Sequence, residues 1–387
     1  MAIARFIDKV SLALSHARYV KLHHQRGYAA QFFDLITLYR ANPTCNIFDY
    51  YKYGVFAVPR GAPLYKELLG TGALEAFSRS LNPRHAVTLA WDKMLFAVMC
   101  NAYNIRTTEI LAIYRPTGVL PDFVKHQLTD IAQLKAFLQR EKGPFFIKPA
   151  KGSLGQGTFY IAAVDKNCEH VYDKKGNLVS FEDFHTKTIG MKGAFHYNAN
   201  AGILLQRPVI QHPAITEFTQ TDTPSGLRIL VINTGEGPYI HRAIWKIIAP
   251  GNISDNFSKG KHGNMVAQID LETGQVSSAV NGYWPATKLH QKHPVSENDF
   301  SGFTLPLWQQ VKAEVLRASS VVFGMGAMHW DLIISQDGAL FLELNDIGST
   351  EFLQLHGKGL IDTELKQKMQ QMALLQEGSA FARFISK

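Results

Sequence analysis

The sequence predicts an α+β protein built from two or three domains. Three observations carry that reading. The chain has 387 residues, with 46% hydrophobic and 19% charged, which is the balance of an ordinary folded protein with ample core. Helical apolar spacing and strand-like runs alternate along the chain. The second half alternates strands with loops and ends in a hairpin, an interleaving of helices with antiparallel pairs.

Taken in order, residues 1–40 read as helical, ending near Asn42-Pro43. Within them Ile3, Phe6, Ile7, Val10, Leu12 and Leu14 fall at mostly helical spacing, which predicts a packed amphipathic helix. The segment Phe48 to Val58 carries Tyr50, Tyr51, Tyr53 and Phe56 and reads as a lid or packing segment rather than a binding platform. A helix over 84–103 precedes a strand from Thr107 to Tyr114 and a turn at Pro116-Thr117-Gly118. Thr129-Asp130 cap a helix that runs to about Arg140. After Gly143-Pro144 come the strand Phe145 to Pro149, a glycine-bearing loop from Lys151 to Gly157, and a strand from Thr158 to Val164. Further strands are expected at Ile203–Gln206, Leu227–Asn233, Tyr239–Ile248 and Met265–Ile269. A long helix covers about Leu305 to Phe323, and a hairpin pairs Met328–Ser335 with Ala339–Asn345 around Gln336-Asp337-Gly338. No repeat and no low-complexity tract interrupts this order.

Composition narrows the functional classes. The longest apolar runs, such as Met94 to Cys100, fall far short of the ~20 residues a membrane-spanning helix needs. Asp8 and Lys9 break the N-terminal apolar stretch, so it does not read as a signal peptide, and a cytoplasmic protein without membrane insertion is expected. Cys45, Cys100 and Cys168 are scattered, which excludes a disulfide framework and a structural zinc site as readings. The excess of 40 Lys+Arg over 32 Asp+Glu gives +8, dispersed along the chain. That surplus suits phosphate-bearing substrates, an anionic polymer or nucleic acid, and by itself does not choose among them.

The strongest chemical signal is Asp331 with Glu343 and Asn345. Glu343 and Asn345 stand two apart on a strand and therefore share a face, with Leu342 and Leu344 expected on the buried side. The hairpin returns Asp331 toward them. Two carboxylates and an amide oxygen are hard ligands suited to Mg²⁺ on nucleotide phosphates. A merely solvated face is the plainer alternative, but an Asn beside a Glu among Leu and Phe is costly without a partner. A second signal is Lys148 at the end of its strand, followed by Gly152, Ser153, Gly155 and Gly157. Glycines let backbone N–H groups approach an anion, and the lysine adds a point charge. The order fits neither the Walker A loop nor GxGxxG, and taken alone the loop serves a hairpin equally well. Trp91-Asp92-Lys93, near the start of an apolar helical run, and Arg228, opening an apolar strand, complete the set. A lone strand arginine is more often a salt-bridge residue than a catalytic one.

The ordered succession Asp92-Lys93, Phe146-Ile147-Lys148-Pro149, a glycine-rich loop, Leu205-Gln206-Arg207-Pro208-Val209, Arg228 and Asp331…Glu343-Leu344-Asn345 resembles the ATP-grasp superfamily. The resemblance spans about residues 86–360. Within the superfamily the chain is most similar to the sugar-transfer-associated ATP-grasp proteins, related to glutamate ligases. That narrower likeness rests on Asp49-Tyr50-Tyr51-Lys52-Tyr53, Gln211-His212-Pro213, Ser254-Asp255-Asn256-Phe257, Asp270-Leu271-Glu272-Thr273-Gly274 and Trp330-Asp331.

The resemblance implies an ATP-grasp fold of two α+β subdomains clasping ATP, at 86–210 and 211–387, after a helix-rich region at 1–85. It implies Lys93 and Lys148 as the ATP lysines and Gly152, Ser153, Gly155 and Gly157 as a flap over the phosphates. The backbone of Gln206, Arg207 and Val209 becomes a hinge to adenine. Asp331, Glu343 and Asn345 would hold one or two Mg²⁺ ions, for which Mn²⁺ could substitute. Arg228 would sit by the γ-phosphate, with Lys246 and Asn256 as further phosphate or substrate contacts. The chain departs from the family in having Lys246 where an arginine is expected, in the basic stretch Lys259-Gly260-Lys261-His262-Gly263, and in lacking an evident acidic residue for the ribose.

The implied activity is ATP-dependent ligation of a carboxylate to an amine through an acyl phosphate, on a sugar acid, surface-polysaccharide precursor or peptide. The substrates would be small molecules, possible links to sugar or peptide included, and nucleic acid is not expected as a partner. A carboxylate is a poor electrophile, and phosphoryl transfer gives it a leaving group by positioning and charge neutralisation alone. That agrees with the lack of any Ser-His-Asp or Cys-His arrangement. A phosphotransferase on the same fold is the alternative, and a non-catalytic polyanion binder is a third reading. His329-Trp330-Asp331-Leu332 superficially resembles a protein-kinase catalytic loop, but no DFG or kinase glycine loop accompanies it.

Overall fold

A computed structural model describes residues 2–115, 118–152, 157–189, 202–260, 262–282, 284–371 and 379–386, with the side chains of 2–5 and of Lys259 outside that description. Three sheets organise the chain. The first is five-stranded and contains β1 (Ile110–Tyr114), β2 (His126–Leu128), β3 (Phe145–Pro149) and β4 (Phe159–Ile161). A small antiparallel sheet follows, made of β5 (Ala163–Val164), β6 (His170–Tyr172) and β7 (Leu178–Ser180). β8 (Ile203–Gln206) then returns between β1 and β3, giving the order β2-β1-β8-β3-β4.

The third sheet holds β9 (Leu227–Asn233), β10 (Pro238–Ile247), β11 (Met265–Ile269), β12 (Val276–Asn281), β13 (Lys288–His290), β14 (Ala327–Ser335) and β15 (Gly338–Asn345). Its order is β13-β12-β11-β10-β9-β14-β15, antiparallel throughout. The neighbouring interior strands β9 and β14 are buried along nearly their whole length, because both faces of the sheet are covered. One face packs Ile229, Val231 and Trp330 against Phe96 and Met99 and against Val311 and Val315 of the helix Trp308–Ser320. The other packs Leu230, Ile232 and Ala327 against Phe77 and Leu81 and the C-terminal Leu365, Met369 and Phe384. Continuous apolar runs, rather than alternating ones, follow from this double cover.

The structure redraws several expected elements. The helical stretch 1–40 consists of two helices, Ala2–His24 and Tyr28–Ala41, with Gln25 in the left-handed region and Gly27 capping the second. The first helix is not packed through its amphipathic stripe: Phe6 is 67% and Leu14 65% exposed, and its contacts come from His16 and Val20 instead. The helix over 84–103 breaks at Asp92, whose carboxylate caps Lys93–Ala102 by accepting from Met94 N and Leu95 N. The strand from Thr107 begins only at Ile110, the 158–164 strand splits at Ala162, and the long helix is trimmed to Trp308–Ser320. Tyr50, Tyr51, Tyr53 and Phe56 are core residues of the N-terminal region, in keeping with a packing segment.

The region 1–85 is also less separate than its composition suggests. Asn82, fully buried, donates to the carbonyls of Ala327 and Asp346 and accepts from the N–H groups of Gly326 and Ala327. It thus staples the helical region to the start of β14 and the end of β15. Val87, Phe96 and Met99, expected with the 86–210 unit, belong to the core of the seven-stranded sheet. No helix among the described residues is long and apolar enough to cross a membrane. Replacing Asn82 by Ala strands three buried backbone groups, the fourth, Gly326 N–H, still reaching Leu81 O at 2.9 Å, so a loss of about 2–4 kcal/mol in denaturant unfolding is expected. A change within a few tenths of a kcal/mol would show that the staple carries no stability.

Candidate functional site

The site lies where the two larger sheets face each other. Lys148 is the last residue but one of β3 and is itself only 9% exposed. Lys93, opening its helix behind the Asp92 cap, donates from Nζ to Gly152 O at 2.9 Å, while its backbone N–H donates to Ala150 O at 3.0 Å. Both lysines line one cavity with Phe96, Thr108, Gln206 and Leu342. Burial pushes the Lys148 ammonium down to about 8, Lys93 adds repulsion, and Glu343 partly offsets both. Lys148 thus feels a second cation beside it and a carboxylate from the opposite sheet, and the paired cations give the electrostatics of an anion site.

Gln206 ends β8, buried, with its amide donating to Thr108 Oγ1 at 2.5 Å. The ladder stops there, and no backbone–backbone hydrogen bond among the described residues uses Arg207, Val209 or Ile210. Contact with the seven-stranded sheet begins at His212, whose N–H donates to Ile334 O at 2.7 Å. The Arg207 side chain turns outward to Glu141 and over the Phe145 ring, so this segment offers the cavity main-chain groups. Gly152 and Gly157 both hold positive φ, as a close backbone approach requires. Ser153 and Gly155 lie outside the described residues, as does Lys261.

On the seven-stranded sheet the register sets Asp331 of β14 opposite Arg228 of β9 and Glu343 of β15. Arg228 binds Asp331 through a two-toothed pair, Nε to Oδ1 and Nη2 to Oδ2, both at 2.7 Å. Lys246 Nζ sits 3.1 Å from Asp331 Oδ1 and 2.9 Å from Asp255 Oδ2. Asn345 Nδ2 donates to Asp331 Oδ2 at 3.3 Å and to Glu343 Oε1 at 3.2 Å, joining the three residues read as ligands. Burial alone would raise the Asp331 carboxyl, but Arg228 and Lys246 outweigh it and hold the group well below the usual carboxylate range. Burial works against the charges of Arg228 and Lys246 too. Their pKa values are nonetheless raised, by Asp331 for Arg228 and by Asp255 and then Asp331 for Lys246.

Three details escape a reading of spacing. The β14–β15 register slips between Asp331–Glu343 and Leu332–Phe341, leaving Leu342 as an extra residue. Leu342 therefore lines the lysine cavity instead of joining Leu344 in the core, contrary to strict alternation. Asn256 is exposed and its Oδ1 accepts from Ser258 N, whereas its neighbour Asp255 reaches Lys246. The signal for Asp255 was available, because a lysine inside the apolar strand Trp245-Lys246-Ile247 demands a counter-ion nearby. His329, two residues before Asp331, is fully buried with neither ring nitrogen partnered, and burial beside Arg228 drives it down to about 3.

Among the described residues no three or more His, Cys, Asp or Glu side chains gather as a metal cluster. The available set is two carboxylates and one amide. Glu343, half-buried, has the freer oxygens, while both oxygens of Asp331 already serve cations. The two carboxylates are hard oxygen donors on neighbouring strands, and Asn345 turns its Nδ2 toward both, so its Oδ1 joins them only with the amide turned over; in that arrangement the set fits a divalent cation that itself carries phosphate.

Two α+β layers closing on a lysine-lined cavity, with an acidic hairpin opposite, define the ATP-grasp class. Within that class the chain belongs to the sugar-transfer associated ATP-grasp family, whose profile matches residues 74–370, and it is thus an ATP-grasp enzyme. No match was found among curated protein sequences. Among solved structures it is similar to D-alanyl-alanine synthetase A of Vibrio cholerae, at 11% identity over 79% of this chain and 67% of that one, with a TM-score of 0.40. It is similar also to the VanG D-Ala:D-Ser ligase of Enterococcus faecalis, at 10% identity over 75% and 62%, with a TM-score of 0.40. A Campylobacter jejuni biotin carboxylase solved with β-γ-ATP shows 11% identity over 77% and 49%, with a TM-score of 0.42. The chain thus spans between 49% and 67% of the length of these three.

Two outcomes are expected from these charges. Asp331→Asn leaves Arg228 and Lys246 buried without their shared carboxylate and should cost about 3–5 kcal/mol in denaturant unfolding at neutral pH. Because the folded carboxyl titrates below its ordinary value of 3.8, this advantage is complete above that pH and is lost as pH falls through the lower folded value. Unfolding curves of both proteins that converge in acid would bear this out, and a gap widening in acid would refute it. Lys148 is charged at pH 7 and sheds its proton above about 8. Calorimetric ADP affinity should therefore weaken as pH rises through about 8, and Lys148→Arg should flatten that slope, since Arg stays charged.

Proposed function

We propose that this chain is an ATP-dependent carboxylate–amine ligase that activates its acid as an acyl phosphate. The observation that carries the reading is the pair Lys93 and Lys148 facing Glu343, beside the Asp331–Arg228–Lys246 cluster. In this reading Lys148 and Lys93 bind the α/β phosphates, and the main chain from Gln206 through Arg207 to Val209 receives the adenine edge. Gly152, Ser153, Gly155 and Gly157 close over the phosphates. Glu343 and Asn345, with Asp331, hold Mg²⁺, which when bound neutralises phosphate oxygens. Arg228 and Lys246, pre-set by Asp331, meet the charge that builds on the transferring phosphoryl group and on the acid. Asn256 is the outermost member, available to substrate from the rim.

No protein nucleophile is needed. The γ-phosphoryl group passes to a carboxylate oxygen, ADP leaves, and an amine then displaces phosphate to form the amide. Family membership supports an acceptor tied to sugar transfer, such as a sugar acid or a surface-polysaccharide precursor, joined to an amino acid or another amine. The dispersed +8 charge supports anionic small molecules as substrates, handled in the cytoplasm.

ATP turnover with Mg²⁺ against a panel of acids, with hydroxylamine as the trapping amine, tests the reading. A hydroxamate that forms with one acid and requires ATP is expected. Phosphorylated acceptor plus ADP without hydroxamate would instead make the enzyme a phosphotransferase. Glu343→Ala should lower trapped product by roughly two orders of magnitude or more, because phosphate charge is left uncompensated. A folded variant with near-normal turnover would remove Glu343 from the metal role.

A further inference from the structure

The N-terminal helical arm carries an unpartnered surface that the ligase reading does not use. Residues 6–15 of the first helix are all exposed except the half-buried Ala13, and the first buried side chain among the described residues is His16. Yet this stretch is apolar: Phe6, Ile7, Val10, Leu12 and Leu14 stand in solvent. The second helix adds exposed aromatics, with Phe32 at 60%, Phe33 at 54% and Tyr39 at 65%. Such a concentration is not the scattered surface leucine of ordinary proteins.

The charge of the same segment is one-sided. Residues 1–41 contain Arg5, Lys9, Arg18, Lys21, Arg26 and Arg40 against Asp8 and Asp34, a net of +4, half of the chain's +8. Asp34 is buried and already held by Arg26, Arg60 and Tyr50, so it does not offset the outer cations. Lys9, Arg18 and Lys21 are exposed and have no carboxylate partner among the described residues.

We propose that this arm docks the enzyme on an anionic lipid surface, lying in the headgroup layer without crossing the bilayer. A helix with exposed Phe, Ile, Val and Leu and cations along its length gains from both acyl-chain burial and headgroup charge. The added ring groups Phe32, Phe33 and Tyr39 are of the kind that favour the membrane–water boundary. A second copy of the chain fits the observations less well. The seam Ile7, Val10, Leu14 and Ala17 spans less than the three to four heptads a coiled coil requires. Pairing along it would leave Phe6, Leu12 and Leu22 in water and bring two cationic arms together.

The test is flotation of the full chain with vesicles of phosphatidylcholine alone and of phosphatidylcholine mixed with phosphatidylglycerol. Co-flotation with the anionic vesicles only, weakened by added salt, is expected. The combined variant Phe6→Ser, Ile7→Ser, Val10→Ser and Leu14→Ser should lose binding at least about tenfold. Its positions are solvent-exposed, so thermal unfolding and ADP binding should stay as in the parent. Replacing Lys9, Arg18 and Lys21 by Gln should weaken binding about fivefold for each cation removed. No flotation of the parent protein, or equal flotation of the apolar variant, would overturn the proposal. Arm-dependent dimers in sedimentation, with no vesicle binding, would also overturn it and assign the face to a second copy.

Discussion

The structure depends on one buried carboxylate. Asp331, on the interior strand β14 of the seven-stranded sheet, is the shared counter-ion of Arg228 and Lys246 and the neighbour of Glu343 and Asn345. Removing two cations from water is affordable only if their attraction and hydrogen bonds are well aligned, and the antiparallel register of β9 and β14 supplies that alignment. Asp255 adds a second negative charge from the loop after β10 and steadies Lys246 on its other side. The arrangement is costly to assemble and gains nothing that an apolar core would not give. Its return is a fixed set of charges beside Glu343 and Asn345, oriented before any ligand arrives.

The N-terminal helices support that set from behind. Immediately after Glu343 and Asn345 the chain passes through Asp346, which Arg79 and the Trp91 indole both bind at 3.1 Å. A few residues later Glu351 meets Lys52, itself tied to Thr71 beside the buried Asp49. Phe352 lies under the Arg228 guanidinium at 5.4 Å. The aromatic stretch around Tyr50 and Tyr51 thus helps fix the exit of the acidic strand rather than forming a platform of its own.

Much of this was legible in residue types. The β3 strand with its penultimate lysine, the Asp130 cap and the Ala327–Asn345 hairpin follow from local rules of alternation, capping and turn chemistry. What spacing could not give were the long-range partners. Asp331 reads as a ligand because its neighbours are oxygens, but its grip by Arg228 and Lys246 depends on strand order, which local pattern does not encode. Leu342 faces the cavity because of a bulge, and a bulge leaves no mark in a run of Leu and Phe. The first helix shows the opposite limit. Its apolar spacing is real, but periodicity says only that a face is apolar, not that the protein itself covers it.

The account divides labour between two groups of cations: Lys93 and Lys148 for the nucleotide body, Arg228 and Lys246 for the reacting end. Calorimetric affinities for ATP and ADP on Lys148→Ala and Arg228→Gln test that division directly. The account predicts that Lys148→Ala weakens both nucleotides alike, while Arg228→Gln lowers ATP affinity by roughly tenfold or more and leaves ADP nearly unchanged. Equal losses for both nucleotides in the two variants, or an unchanged ATP affinity in Arg228→Gln, would contradict it.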